Sequence, residues 1–403
     1  MALGTASSGA ENNPYRVMVV DDSAVIRGLV SRTLESDPEI SVVVTAANGK
    51  IALSMLERHD IEIVVLDIEM PVMDGLTALP LLLKAKPGLT VLMASTLTQR
   101  NAEISLKALQ AGAADYVPKP GTGSQITSAT EFHEEMRNKA KALGAAARKR
   151  SGRLSTSRAI PTATASQKSP LQGSGTASVR ATVDTSSQSS SPSPSQTASQ
   201  GIMLRKASVA MPEAIAIGSS TGGPQALFEV LGGLGPNLKL PIFVTQHMPA
   251  TFTSLLAQHI NRASKIPSQE GQDVQKVRAG EVYVAPGDYH MTLEGSARDL
   301  TIHLDQNPPE NFCRPSVDPM LRSLSKIYGS RLLVIILTGM GSDGLEGCRS
   351  VVAAGGSVVA QDEATSVVWG MPGAVAQAGV CSAVLPLKEI AGHTQRLLAR
   401  TAA

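Results

Sequence analysis

Five short apolar runs, Val17–Val20, Val42–Val44, Ile61–Leu66, Val91–Ala94 and Tyr116–Val117, alternate with amphipathic stretches between Arg16 and about Lys149. Short apolar runs of this kind read as strands buried on both faces, and the stretches between them read as helices. The repeat is βα, which predicts a parallel sheet covered by helices on both sides. Pro80 falls inside the third expected helix and should kink or shorten it. Glu131–Arg150 reads as a closing helix with a basic tail. The pattern then stops. Between Ser151 and Gln200, 22 of 50 residues are Ser or Thr, and no aromatic residue occurs. Such a stretch cannot bury enough apolar surface to offset its ordering entropy. From Met211 onward apolar runs return between Gly-rich turns, predicting a second α/β domain that ends in a helix over Lys388–Arg400. The expected organisation is a disordered N-terminus at 1–13, a first domain at 14–140, a Ser/Thr-rich linker at 141–210 and a second domain at 211–403.

Composition changes this picture little. The 403 residues suit two domains. Hydrophobic residues make up 42% and aromatics 3%, so the cores must be aliphatic. A net charge of +2 gives no argument for a nucleic-acid or membrane partner. The three cysteines, Cys313, Cys348 and Cys381, have neither metal-site nor disulfide spacing, which suits a reducing compartment. No segment resembles a signal peptide or approaches the ~20 apolar residues of a membrane span, so a soluble cytoplasmic chain is expected.

Chemistry gathers at strand ends. Asp21 and Asp22 follow the first strand, Asp67 ends the third, Ser95 follows the fourth and Lys119 the fifth. Carboxyl ends of parallel strands share one crevice. Three carboxylates there repel one another unless a cation joins them, and a hard oxygen-liganded ion, Mg²⁺, fits. Lys119 supplies a fixed positive charge and Ser95 a hydroxyl. The set suits a phosphoryl group received by the Asp67 carboxylate. A lone aspartate in such a place is often only a turn residue. Five residues in this order are not explained that way.

The second domain opens with Ala214-Ile-Ala-Ile-Gly-Ser-Ser-Thr-Gly-Gly223, an apolar strand running into a glycine turn. His247 follows a second strand and Asp343 a later one, Leu332–Leu337. Hydroxyl, imidazole and carboxylate in mutual reach make a nucleophile, its base and the orienter of the base. The order Ser, His, Asp and the missing Gly-x-Ser-x-Gly elbow argue against an α/β-hydrolase. A phosphate-cradling loop is the plainer reading of the glycines, but the Lys of a P-loop and the full dinucleotide fingerprint are absent. Strand alternation does not choose between Ser219 and Ser220. Ser220 stands nearer the expected helix N-terminus at Pro224, where backbone N–H groups can hold an oxyanion.

Val19-Val-Asp-Asp-Ser23, Val65-Leu-Asp-Ile-Glu-Met-Pro-Val-Met-Asp-Gly75 and Asp115-Tyr-Val-Pro-Lys-Pro120 resemble the signatures of response-regulator receiver domains, over about 14–140. The resemblance implies a flavodoxin-like five-stranded fold with Asp67 as phosphoacceptor. It places Mg²⁺ on Asp21, Asp22, Asp67 and the Glu69 backbone, makes Ser95 and Tyr116 the switch residues, and implies a partner histidine kinase. Gly218-Ser-Ser-Thr-Gly-Gly-Pro224, Val244-Thr-Gln-His-Met-Pro249, Arg314-Pro-Ser-Val-Asp318, Leu337-Thr-Gly-Met-Gly-Ser-Asp-Gly344 and Trp369-Gly-Met-Pro372 resemble the catalytic domain of chemotaxis methylesterases, over about 211–400. This second resemblance implies a doubly wound parallel fold with Ser220 as nucleophile, His247 as base and Asp343 as orienter. It places Thr221 and the Met340 backbone at the oxyanion, and Arg314 at the substrate. Methyl-accepting chemotaxis receptors become the expected substrate, through glutamate methyl esters and, by deamidation, glutamines. Hydrolysis needs no cofactor, and a monomer without nucleic-acid or membrane partners is expected. The competing readings are a transcriptional response regulator and a non-catalytic module on the same fold. The first calls for a basic helix-turn-helix pattern, which 211–403 lacks.

Overall fold

The structure, a computed structural model, describes residues 13–96, 98–119, 126–156 and 202–399. The expected disordered N-terminus lies outside the described residues apart from Asn13, as does the linker between 157 and 201.

The first domain alternates β1 (Tyr15–Val20), α1 (Ala24–Glu35), β2 (Ile40–Ala46), α2 (Gly49–Arg58), β3 (Ile63–Asp67), α3 (Gly75–Ala85), β4 (Thr90–Thr96), α4 (Gln99–Gln110), β5 (Asp115–Lys119) and α5 (Ile126–Thr156). The sheet order is β2-β1-β3-β4-β5, with every pairing parallel. Central β3 is buried along its whole length, as its unbroken apolar run requires. Each of the first four helices starts on a side chain that accepts an otherwise unpaired amide: Ser23, Asn48, Asp74 and Thr98. Pro80 does not end α3, which runs on to Ala85 with the proline on its exposed side. Helix α5 continues to Thr156, well into the stretch read as linker from composition.

The second domain begins with 202–213, laid along the body of the domain by Arg205 N–H donating to Cys381 O and Ser208 N–H to Ser357 Oγ. There follow β6 (Ala214–Ser219), α6 (Gly223–Leu234), β7 (Ile242–Gln246), α7 (Ala250–Ser264), β8 (Ser268–Glu270), β9 (Gln275–Lys276) and β10 (Val282–Val284). The chain continues through β11 (His290–Ser296), β12 (Asp299–Asp305), α8 (Val317–Tyr328), β13 (Leu332–Ile336), α9 (Leu345–Ala353), β14 (Ser357–Gln361), α10 (Met371–Gln377), β15 (Ala383–Leu385) and α11 (Leu387–Leu398). Seven strands form a parallel sheet ordered β15-β14-β13-β6-β7-β10-β8. The chain starts at β6, builds outward through β7 and β10, then returns to the other side at β13. That reversal is a topological switch point, and the crevice opens beyond the carboxyl ends of β6 and β13. A small antiparallel sheet, β11-β12-β9, was not expected from the sequence. No helix among the described residues is long and apolar enough to cross a membrane.

The two domains share buried surface. The Tyr116 ring stacks on Phe252 of α7 with centroids 4.3 Å apart. Gln225 of α6 donates to the carbonyls of Leu109 and Ala113, at 2.9 and 2.5 Å. Gln110 Nε2 lies 3.1 Å from His259 Nδ1. Val368 joins the apolar cluster beneath α5, with Met340 and Val367 packed against it. Arg150 of α5 donates to Val367 O, and Lys149 pairs with Glu363. Past this contact a cavity of about 630 Å³ separates α5 from Trp369 and Gln377.

Candidate functional site

In the first domain the carboxylate oxygens of Asp21, Asp22 and Asp67 lie within 4.8 Å of one another. Lys119 Nζ bridges two of them, 2.5 Å from Asp21 Oδ2 and 2.6 Å from Asp67 Oδ1. Asp21, Asp67 and Lys119 are buried, while Glu69 is exposed beside them. Burial raises the Asp67 carboxyl above its usual range, and Lys119 offsets part of that rise. Ser95 is buried with its hydroxyl 3.0 Å from that of Ser105. The Tyr116 hydroxyl is buried and pushed well up, which keeps it neutral against Phe252. Three clustered carboxylates are a hard oxygen donor set, and they fit Mg²⁺.

In the second domain β6 ends at Ser219, and Ser220 stands one residue beyond, its amide donating to Thr338 O. Ser219 is fully buried, and its hydroxyl donates to Gln246 Oε1 at 2.7 Å. Gln246 Nε2 in turn donates to Ser220 O. Ser220 is half-buried, and its hydroxyl has no hydrogen-bond partner among the described residues. The turn that follows needs glycine at 222, where φ is 77°, and Pro224 sits in the first turn of α6. Gly339, from the loop after β13, lies against Ser220: a Cβ there would stand 2.9 Å from Ser220 Cβ.

His247 stands one residue past β7, which pairs in register with β6, and its amide donates to Ser219 O. Its ring donates from Nε2 to Asp343 Oδ2 at 2.7 Å. Asp343 is buried and saturated with donors. Oδ1 accepts from Ser316 Oγ at 2.7 Å, the Gly344 amide at 2.8 Å, Asn311 Nδ2 at 3.0 Å and the Asp318 amide at 3.3 Å. Oδ2 also accepts from the Val317 amide, at the start of α8, at 2.7 Å. Burial raises the Asp343 carboxyl, but His247 and these donors outweigh it and hold it below its usual range. With Nε2 committed to Asp343, the nitrogen left to act as base is Nδ1, and it faces Cys313 Sγ at 3.4 Å. Burial lowers the imidazole's proton affinity, but Cys313 and Asp343 overcome this and push it up to about 10.

Thr221 is buried, and its hydroxyl has no partner among the described residues. Met340 is half-buried at the mouth. Arg314 donates from Nη1 to the carbonyls of Gln306 and Asn307, so it braces its own loop. Gln246, Asn311, Cys313 and Ser316 also contact Ser219, Asp343 or His247, and no periodicity in the sequence marks them. Ser316 lies inside the Arg-Pro-Ser-Val-Asp motif and was within reach. Cys313 and Asn311 join the site only through the path of their loop.

Residues 215–394 match the family described as CheB methylesterase, and residues 17–131 match the response regulator receiver domain. The protein-glutamate methylesterase/protein-glutamine glutaminase of group 2 operon from Rhodospirillum centenum is 55% identical over 97% of this chain and 96% of its own. The protein-glutamate methylesterase/protein-glutamine glutaminase 1 of Rhodospirillum rubrum is 53% identical over 97% of each chain. The solved catalytic domain of Thermotoga maritima CheB methylesterase is 40% identical over 46% of this chain and 98% of its own, with a TM-score of 0.45. The two relatives that match over 97% of this chain leave no support for a transcriptional output domain. The chain belongs to the CheB methylesterase family, with a response-regulator receiver domain ahead of the catalytic domain.

Proposed function

We propose that the chain is a phosphorylation-activated serine hydrolase that removes methyl esters from receptor glutamates and deamidates receptor glutamines. The observation that carries this reading is the hydrogen bond of His247 Nε2 to Asp343 at 2.7 Å, with His247 and Ser220 each one residue past the ends of the paired strands β7 and β6. Ser220 Oγ attacks the γ-carbonyl of the ester while the neutral form of His247, which grows as the pH rises toward 10, takes its proton at Nδ1. The N-terminus of α6 and the Met340 backbone face the developing oxyanion. Nδ1 then protonates the departing methoxide. Water attacks the acyl-serine by the same proton path, releasing glutamate and restoring Ser220. With a glutamine substrate, ammonia is the leaving group. The buried, hydrogen-bonded state of Ser219 supports Ser220 as the nucleophile.

Asp67 accepts the phosphoryl group from a histidine kinase, with Lys119 and Ser95 beside it. Mg²⁺ on Asp21, Asp22, Asp67 and the Glu69 backbone supplies charge neutralisation at the phosphoryl oxygens when bound. Helix α5 lies over Met340 and Val368, so the receiver covers one wall of the esterase crevice. Phosphorylation at the Asp67 end loosens the Tyr116–Phe252 and Gln225 contacts and opens that wall. Methyl-accepting receptors are the substrate, and the enzyme acts in the cytoplasm as a monomer.

The test is methanol release from methylated receptor, with and without a small-molecule phosphodonor. Wild type should release methanol faster with the donor, and Ser220→Ala should release none. A fluorophosphonate probe should label wild type only. Methanol release surviving in Ser220→Ala defeats the reading, and labelling lost instead in Ser219→Ala moves the nucleophile by one residue.

A further inference from the structure

Cys313 differs from the other two cysteines. Cys348 and Cys381 are buried in the apolar core, whereas Cys313 is half-buried at the crevice with its sulfur 3.4 Å from His247 Nδ1. That nitrogen is the one Ser220 requires, because Nε2 is held by Asp343. Cys313, His247 and Asp343 therefore form a second linear set that shares its base with Ser220.

The loop holds the thiol in place from both sides. Glu310 and Cys313 exchange two backbone hydrogen bonds, closing the turn. Glu310 is clamped by both Nη groups of Arg322. Asn311 and Phe312 adopt left-handed backbone, with φ of 53° and 63°, a conformation non-glycine residues rarely keep unless their surroundings impose it. Asn311 Nδ2 donates to both Asp318 and Asp343, tying the turn to the carboxylate that orients the base.

We propose that Cys313 is a thiol gate on the catalytic base. In the resting enzyme its sulfur occupies His247 Nδ1, and Ser220 is activated only when the thiol swings away. Capping the thiol holds the esterase off. The titratable groups facing His247 are Cys313 and Asp343, with Asp318 and the Arg322–Glu310 pair behind Asp343. With methyl methanethiosulfonate, the Cys313 sulfur attacks the sulfenyl sulfur and forms a mixed disulfide. The S–SO₂ bond breaks, methanesulfinate leaves with the electron pair, and the thiol proton passes to Nδ1. The base is then both protonated and screened from Ser220. Dithiothreitol reverses the step by thiol–disulfide exchange.

The kinetic arm rests on the esterase reading above, and the chemical arm does not. In the full chain, the reagent should add one methylthio group at Cys313, cut methanol release and fluorophosphonate labelling at least tenfold, and lose its effect on addition of dithiothreitol. Cys313→Ala should resist the reagent, and its acid limb of kcat/KM should move at least one pH unit lower, since a cationic imidazole has lost its sulfur partner. Cys313→Ser, which preserves side-chain volume, should also resist the reagent. Independently of activity, the Cys313 thiol of Ser220→Ala should react with the reagent at pH 6.5 at least tenfold faster than that of His247→Gln. Equal inhibition of both Cys313 variants, an unmoved pH profile, or equal thiol rates with and without His247 each overturn the proposal. Failure of methanol release in untreated wild type, with the His247-dependent thiol rate intact, overturns the esterase reading alone.

Discussion

Asp343→Asn tests the geometry most directly. In the wild type every group around Asp343 donates to it, four to Oδ1 and two to Oδ2. Asparagine brings an NH₂ group that accepts nothing. Placed at Oδ1 it opposes four donors, so it settles at Oδ2. There it opposes the Val317 amide and forces His247 Nε2 to become the acceptor. The imidazole proton then moves to Nδ1, and the base can no longer take the Ser220 proton. A wrong tautomer of this kind costs about four orders of magnitude in kcat. One stranded buried amide costs roughly 1–3 kcal/mol of stability, and loss of the charged hydrogen bond to His247 adds about as much again. Methanol release should therefore fall by ~10⁴. Calorimetry should show a lower Tm with the cooperative transition preserved. A variant within tenfold of wild-type turnover would show that Asp343 does not set the tautomer of His247.

Four further outcomes follow from the same structure. His247 titrates at 6.5 when unfolded and is raised to about 10 when folded, so its contribution to stability is full below 6.5 and disappears as the pH climbs toward 10; His247→Gln should flatten the fall in Tm across that window. Removing divalent cations with a chelator should abolish the response to a phosphodonor while basal methanol release persists, because the three carboxylates lie in a different domain from Ser220. Gln225→Ala deletes two hydrogen bonds to the receiver carbonyls, weakening docking by about 1–3 kcal/mol, and basal turnover should rise several-fold with phosphodonor-stimulated turnover unchanged. Gly339→Ala drives a Cβ to 2.4 Å from Met371 Sδ and 2.9 Å from Ser220 Cβ, so fluorophosphonate labelling should fall at least tenfold in a chain that still unfolds cooperatively.

Much of this molecule is legible along the chain. Strands buried on both faces must be continuous apolar runs, and β1, β3, β4, β6, β7 and β13 lie where those runs stand. Side chains meant for a crevice beyond a parallel sheet must follow such runs directly. Asp21, Asp67, Lys119 and His247 do so, as does the Ser219–Ser220 pair, and pattern alone therefore picks out these positions. Helix α3 shows the limit of local rules: Pro80 removes one amide from the ladder, yet the packing of Ala78, Leu79 and Leu82 carries the helix past it. The helical extent of α5 beyond Arg150 was hidden by the Ser- and Thr-rich composition that begins there.

Tertiary structure decided what pattern could not reach. Which of the adjacent serines has its hydroxyl tied up depends on which one meets Gln246, and Gln246 belongs to another strand. Arg314, expected at the substrate, donates from Nη1 to the carbonyls of Gln306 and Asn307, a contact that no periodicity announces. Which imidazole nitrogen is left free of Asp343 depends on how the ring is turned, and Asp343 fixes that turn from across the switch point. Cys313 reaches His247 because Glu310, Asn311 and Arg322 fold one irregular loop back over the strand ends. Periodicity records burial, since burial repeats with the strand or helix. It does not record the meeting of two loops, because no repeat in the sequence corresponds to it.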